Sequence, residues 1–203
     1  AGLATDAGDY DKARELSISV RSLAEANGIA ELGFYARMGM SRLARVTGDA
    51  PSALAWAADA VALAEHTGYR HLQGIALIER GRAAWALGHV AEAESDFRLA
   101  CTVLEQLSAY FDLARSMLLL AVLLHTMGSP QAGAAWGEAI TRIVAGGFVF
   151  LLDQERTLAF PLLAAYLDAS EPDVRMASVG LVARLVQLPP PPLRIVALGE
   201  FAV

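Results

Sequence analysis

The residues of this chain that could do chemistry are few: four histidines, one cysteine, scattered carboxylates, and fifteen arginines against a single lysine, Lys12. The histidines (His66, His71, His89 and His125) lack the i, i+4 spacing or the neighbouring cysteine or acidic pair that would suggest a metal site. They read as surface or packing residues. Cys101 stands among apolar residues, where an inert buried thiol is expected rather than a nucleophile. Glu92, Glu94 and Asp96 are neighbours in sequence rather than convergent across a cleft, and read as a solvated face. A phosphate loop of the G-x-x-x-x-G-K-[ST] type needs a lysine in a context that Lys12 does not have. Catalysis therefore finds no constellation to support it, and no metal or cofactor is implied. What remains is arginine, whose planar, permanently charged fork suits anionic groups. Recognition is the chemistry on offer.

The elements that position these arginines follow from one regularity. Glycine recurs at Gly8, Gly48, Gly88 and Gly128, every 40 residues, and other columns keep the same beat: Ala13, Ala53, Ala93 and Gly133, then Glu25, Glu65 and Glu105. A period of this length with a helix on either side of the glycine predicts an all-α solenoid of antiparallel helix pairs, in which stacking supplies the core. In the third unit, apolar residues at three-and-four spacing predict a helix from about Tyr69 to Leu87, ended by Gly88, and a second from about Val90 to Leu107. Asp49 and Ser129 read as N-caps, with Pro51 and Pro130 in a first turn. Ala93 is small because two helices joined by a tight turn approach most closely beside it. Trp56 and Trp136 share a column, which predicts packing for both.

Bulk properties agree with this class. The chain has 203 residues, 55% of them apolar, a mean hydropathy of +0.41 and a net charge of −6. No apolar run reaches the roughly 18 uncharged residues of a membrane span. The acidic balance argues against direct nucleic-acid binding by this segment. One cysteine excludes an internal disulfide, and a cytoplasmic location is expected. Ala1–Ala7 aligns with Ser41–Thr47, late in a helix before a glycine, so the chain is expected to begin inside a repeat of a longer protein and to expose apolar surface on its first helix.

The repeat resembles the tetratricopeptide repeat. The family's small position in the first helix falls on Ser41, Gly81 and Ala121; its two in the second fall on Ala53, Ala93 and Gly133, then on Ala60 and Ala100, with Ile140 departing. The aromatic positions of the first helix are replaced by Arg37, Leu77 and Met117 and by Ala44, Ala84 and Leu124. Together with the longer unit, this looks like the MalT-like branch found in bacterial transcription regulators, over about Ala1 to Phe148. The resemblance implies a right-handed superhelix whose first helices line a concave face, with ligand-facing positions on Tyr35, Met38, Arg42, Arg45, Ile75, Ile78, Arg82, Trp85, Arg115, Leu118, Val122 and His125. Formal charge divides accordingly: +4 over the first helices and −7 over the second. A groove carrying Arg42, Arg45, Arg82 and Arg115 beside Tyr35, Trp85 and His125 would suit a protein or peptide partner, or a small anionic effector with an apolar part. The plainer alternative is that these arginines pair with acids of neighbouring helices.

Beyond Phe148 the period fades. Helices are expected at about Asp153–Asp168, where Pro161 would start or kink one, and at about Pro172–Leu188, giving nine in all and a repeat domain over residues 1–188. Pro189–Pro192 forms a linker, and Leu193–Val203 (LRIVALGEFAV) alternates like a strand. That tail resembles the opening strand of the winged-helix DNA-binding domain of SARP-type activators, through Leu193, Arg194, Ile195, Leu198, Gly199, Phe201 and Val203. The two resemblances imply a non-catalytic sensor segment between an upstream nucleotide-binding domain and a downstream DNA-binding domain. A free-standing peptide-binding scaffold is the alternative.

Overall fold

The computed structural model describes residue 5, residues 8–168 and residues 172–186. The proline linker and the expected strand at Leu193–Val203 lie outside them. All regular structure among the described residues is helical, and it divides into two compact units, one ending at Phe148 where the period ends and one starting at Val149.

The first unit contains α1 (Tyr10–Asn27), α2 (Ala30–Val46), α3 (Ala50–Thr67), α4 (Arg70–Ala86), α5 (Val90–Gln106), α6 (Tyr110–Thr126) and α7 (Ala132–Ala145). Each packs against its predecessor across a short turn, as the sequence predicts. Gly48, Gly88 and Gly128 take φ values of 85°, 78° and 65°, which L side chains adopt only at a cost. The same geometry closes every second turn half a period later, at Gly28, Gly68, Ser108 and Gly147. In all seven turns the following N–H returns to a carbonyl five residues back, as in Asp49 to Ala44 (2.8 Å) and Ala109 to Leu104 (3.0 Å), satisfying a helix-end acceptor. Asp49 caps α3 as expected, accepting from the Ser52 N–H. Ser129 instead accepts from the Gln131 N–H, inside the turn, and α7 starts three residues after it.

The repeat register also shifts in this unit. The buried stripe of α3 runs Ala53, Ala57, Ala60, Val61 and Ala64, but in α7 it runs Ala132, Trp136, Ala139, Ile140 and Ile143, one residue early against a strict 40-residue count. The left-handed glycine is early too, at Gly147 rather than Phe148. Gly133 and Ile140 are therefore not the small-column residues. Ala132 and Ala139 are, and the apparent departure at Ile140 disappears. Nor do the two tryptophans share a role: Trp136 is fully buried at the place of Ala57, whereas Trp56 is half-buried beneath the Arg21 guanidinium, 5.5 Å from the ring centroid.

Close approach within a pair explains the other small column. A Cβ on Gly81 would lie 2.8 Å from the Phe97 ring, which is completely buried, so α4 and α5 meet there with no room to spare. Between units, each second helix packs on the next first helix, α3 on α4 and α5 on α6, and the first helices also touch one another, α2 on α4 and α4 on α6, so these three are neighbours.

In the second unit the expected helix at Asp153–Asp168 is two, α8 (Phe150–Gln154) and α9 (Arg156–Ala165), so the described residues form ten helices rather than nine. The break falls at Glu155, whose φ of −105° and ψ of 26° leave the helical region, and Pro161 sits inside α9 without starting it. The unit closes with α10 (Pro172–Val186), packed on α9. No described helix is long and apolar enough to cross a membrane.

Candidate functional site

The first-helix face centres on a residue that a charge count alone treats as a minor offset. Glu79 projects from α4 within an otherwise apolar stretch, Ala76-Leu77-Ile78-Glu79, and is only 4% exposed. A carboxylate so placed would cost several kcal/mol without compensating charge. The compensation comes from three successive first helices. Arg45 of α2 brings its Nε to 3.4 Å from Oε2, and Arg115 of α6 brings an Nη to 3.3 Å from Oε1. Burial pushes the Glu79 carboxyl upward, but Arg82, Arg45, Arg115 and Arg42 together outweigh it and hold the group at about 2. One carboxylate thus gathers four guanidinium groups separated by up to 73 positions in sequence.

Beside this cluster opens a cleft of about 470 Å³. Arg42, Glu79 and Arg115 form its polar end; Val20, Leu32, Tyr35 and Met38 supply apolar wall from α1 and α2. Tyr35 is half exposed and packs edge-on against buried Phe34, ring centroids 5.4 Å apart. Glu79 is the single acid among the described residues lining this cleft.

Of the seven residues that the sequence singles out for the concave face, Tyr35, Arg42 and Arg115 line the cleft, and Arg45 and Arg82 join it through Glu79. Trp85 and His125, both half-buried, do not line it. Arg45 and Arg115 pair internally, each donating to Glu79 of a neighbouring helix. The residue missed by sequence reasoning is Glu79. Glu79 ends the apolar run Ala76–Ile78 and is followed at once by Arg80, so nothing local marks it as buried.

Asp96 also departs from expectation. It is buried rather than solvated, and takes both Nε and Nη of Arg80 at 2.8 and 2.6 Å. His66 is exposed, His71 bonds Asp112 at 2.9 Å, and His89 lies 3.6 Å from Glu92. No group of three or more metal-ligating side chains occurs among the described residues. Cys101 is half-buried, and burial raises its thiol above the usual range. It lines a second opening of about 790 Å³ between α5 and α7, floored by Leu113, Met117 and Leu120 of α6.

No protein-family model and no curated protein matches this chain. Solved structures do. A Rap protein complexed with Competence and Sporulation Factor superposes with a TM-score of 0.62 at 14% identity, over 85% of this chain and 56% of that one. BtubC (BKLC) from P. vanneervenii superposes with a TM-score of 0.56 at 14% identity, over 96% and 97%. This chain thus spans little more than half the length of the Rap protein. At such identities the likeness shows the fold alone: an α-solenoid of helical repeats.

Proposed function

We propose that this chain is a non-catalytic interaction module that binds an anionic, partly apolar partner or effector on the face formed by α2, α4 and α6. The observation carrying this reading is the convergence of Arg42, Arg45, Arg82 and Arg115 on one buried carboxylate beside an apolar cleft. Rigid elements from three successive units fix the charges, so recognition would cost little ordering. The similar Rap protein was captured with Competence and Sporulation Factor, which supports reading such an array as a receptor.

The wider context is a cytoplasmic transcriptional activator, with a nucleotide-binding domain upstream and a DNA-binding domain downstream. Its support is the MalT-like repeat pattern and the SARP-like tail. Occupancy of the face would change how successive units pack, because a ligand touching α2, α4 and α6 favours one spacing among them. In the full-length protein, Arg42→Glu together with Arg82→Glu should abolish effector-dependent transcription and leave DNA affinity unchanged. Full regulation in that double variant would overturn the binding face. Absence of a winged helix after Val203 would overturn the activator context and leave the interaction module standing.

A further inference from the structure

The grooves between successive second helices differ in what fills them. Between α1 and α3, the Arg21 guanidinium lies over the Trp56 ring, 5.5 Å from its centroid. One repeat on, the column of Trp56 holds Asp96, which faces the groove between α3 and α5 and takes Arg80 of α4 at 2.6 and 2.8 Å. In the third groove, allowing for the slip of α7, that column holds Ala135, while Leu120 replaces Arg80 and Cys101 replaces Arg21. Side chains without charge or length thus stand where the other grooves carry an indole, a carboxylate or a guanidinium. The opening, about 560 Å³ in the second groove, is about 790 Å³ in the third.

This third opening is bounded. Arg98 of α5 donates to Gln131 before α7 at 2.8 Å, and Arg142 of α7 donates to Glu105 of α5 at 2.8 Å, so a side-chain bridge crosses it at each end. From position 98 to position 105 the rise of α5 amounts to about 10 Å. That length suits a molecule of one or two fused rings rather than a helix, and the volume is that of a small-ligand pocket. Its charge has a sign. Arg98 is paired with Glu94 and Arg142 with Glu105, which leaves the carboxylate of Glu138, exposed on α7 one turn after Ala135 and on the same side. Cys101 feels the same field: burial, Glu105 and Glu138 hold its thiol above the usual range against Arg98 and a hydrogen bond with Ser116. Surroundings that disfavour a thiolate favour a cation.

We propose that the opening between α5 and α7 binds a small aromatic cation, its ring on Met117 and Leu120 beside Ala135 and its ammonium group at Glu138. A ring so placed takes the position that Trp56 has in the first groove. The site shares no lining residue with the first-helix cleft and stands apart from the binding face proposed above.

The test is calorimetric titration of the chain near neutral pH with tryptamine, indole and indole-3-propionate. Tryptamine should bind about three- to fivefold more tightly than indole, the worth of one exposed ion pair, and indole-3-propionate more weakly than indole. Glu138→Gln should bring tryptamine to the level of indole and leave indole unchanged. Ala135→Trp fills the opening from within and should abolish binding of all three; if that variant does not fold, Leu120→Arg with Ala135→Asp, a copy of the Arg80–Asp96 pair, serves in its place. Because Cys101 is the single thiol, tryptamine should also slow its alkylation by N-ethylmaleimide. Arg42→Glu with Arg82→Glu, the test of the other face, should leave tryptamine binding unchanged. Equal binding of the three indoles would overturn the cation assignment. No binding of tryptamine, or binding that survives closure of the opening, would overturn the site itself.

Discussion

Arg80 and Asp96 lie on consecutive helices of one repeat and form a two-point hydrogen bond, 2.6 and 2.8 Å, with the carboxylate nearly buried and the guanidinium about one-third exposed. Their exposures are unequal, so their removal should be unequal too. Arg80→Ala strands a buried charge and should cost about 3 kcal/mol. Asp96→Ala leaves a guanidinium that can turn into water, and should cost about half that. Urea melts of the two single variants and the double variant measure this directly. Equal single costs would mean that Asp96 finds another partner when Arg80 is gone.

The slipped register of α7 makes a prediction that the strict 40-residue count does not. Ala93→Arg places a charge in a fully buried contact and should cost several kcal/mol. Its true counterpart is Ala132, 4% exposed, and Ala132→Arg should cost a similar amount. Gly133, half-buried in the first turn of α7, should accept alanine with no loss of stability and a gain of up to about 1 kcal/mol. A severe loss at Gly133→Ala with little effect at Ala132→Arg would restore the unslipped alignment.

Why some of this was legible in the sequence is physical. Three of the seven turns were readable because glycine marks backbone that needs positive φ, and the other four were obscured where Ser108 interrupts the column and the slip moves the last glycine to Gly147. The slip itself leaves no gap in the chain, only a shift of the buried stripe that becomes visible when Trp136 is compared with Ala57. The arginines of α2, α4 and α6 were singled out because the resemblance to a known repeat assigns first-helix positions to one face. Their partner was not, because Glu79 and Asp96 are acids whose burial depends on guanidinium groups from other helices, and no local pattern records such pairing.

Ser108 is the described non-glycine residue held at positive φ, 54°, where every equivalent turn has glycine. A side chain there raises the energy of the turn between α5 and α6 by about 1 kcal/mol, against which glycine's greater freedom in the unfolded chain offsets a part. Ser108→Gly should therefore stabilise the protein by about 0.5 kcal/mol. A destabilised variant would show that the Ser108 side chain contributes something beyond its backbone.

Glu79 also sets an acid limit on the first unit. Its folded-state value of about 2 lies below its ordinary 4.5, so the folded state favours the ionised form. The stabilisation is fully present above about pH 4.5 and is lost as pH falls through the folded value near 2. A shift of this size corresponds to a contribution on the order of 3 kcal/mol. Glu79→Gln has no such titration. The stability difference between the protein and this variant should be constant from pH 7 to about 5 and then shrink by roughly 3 kcal/mol on further acidification. Urea unfolding at a series of pH values, followed by the fluorescence of buried Trp136, gives that difference. A gap that stays constant down to pH 3 would mean that Glu79 is not the group the four arginines hold ionised.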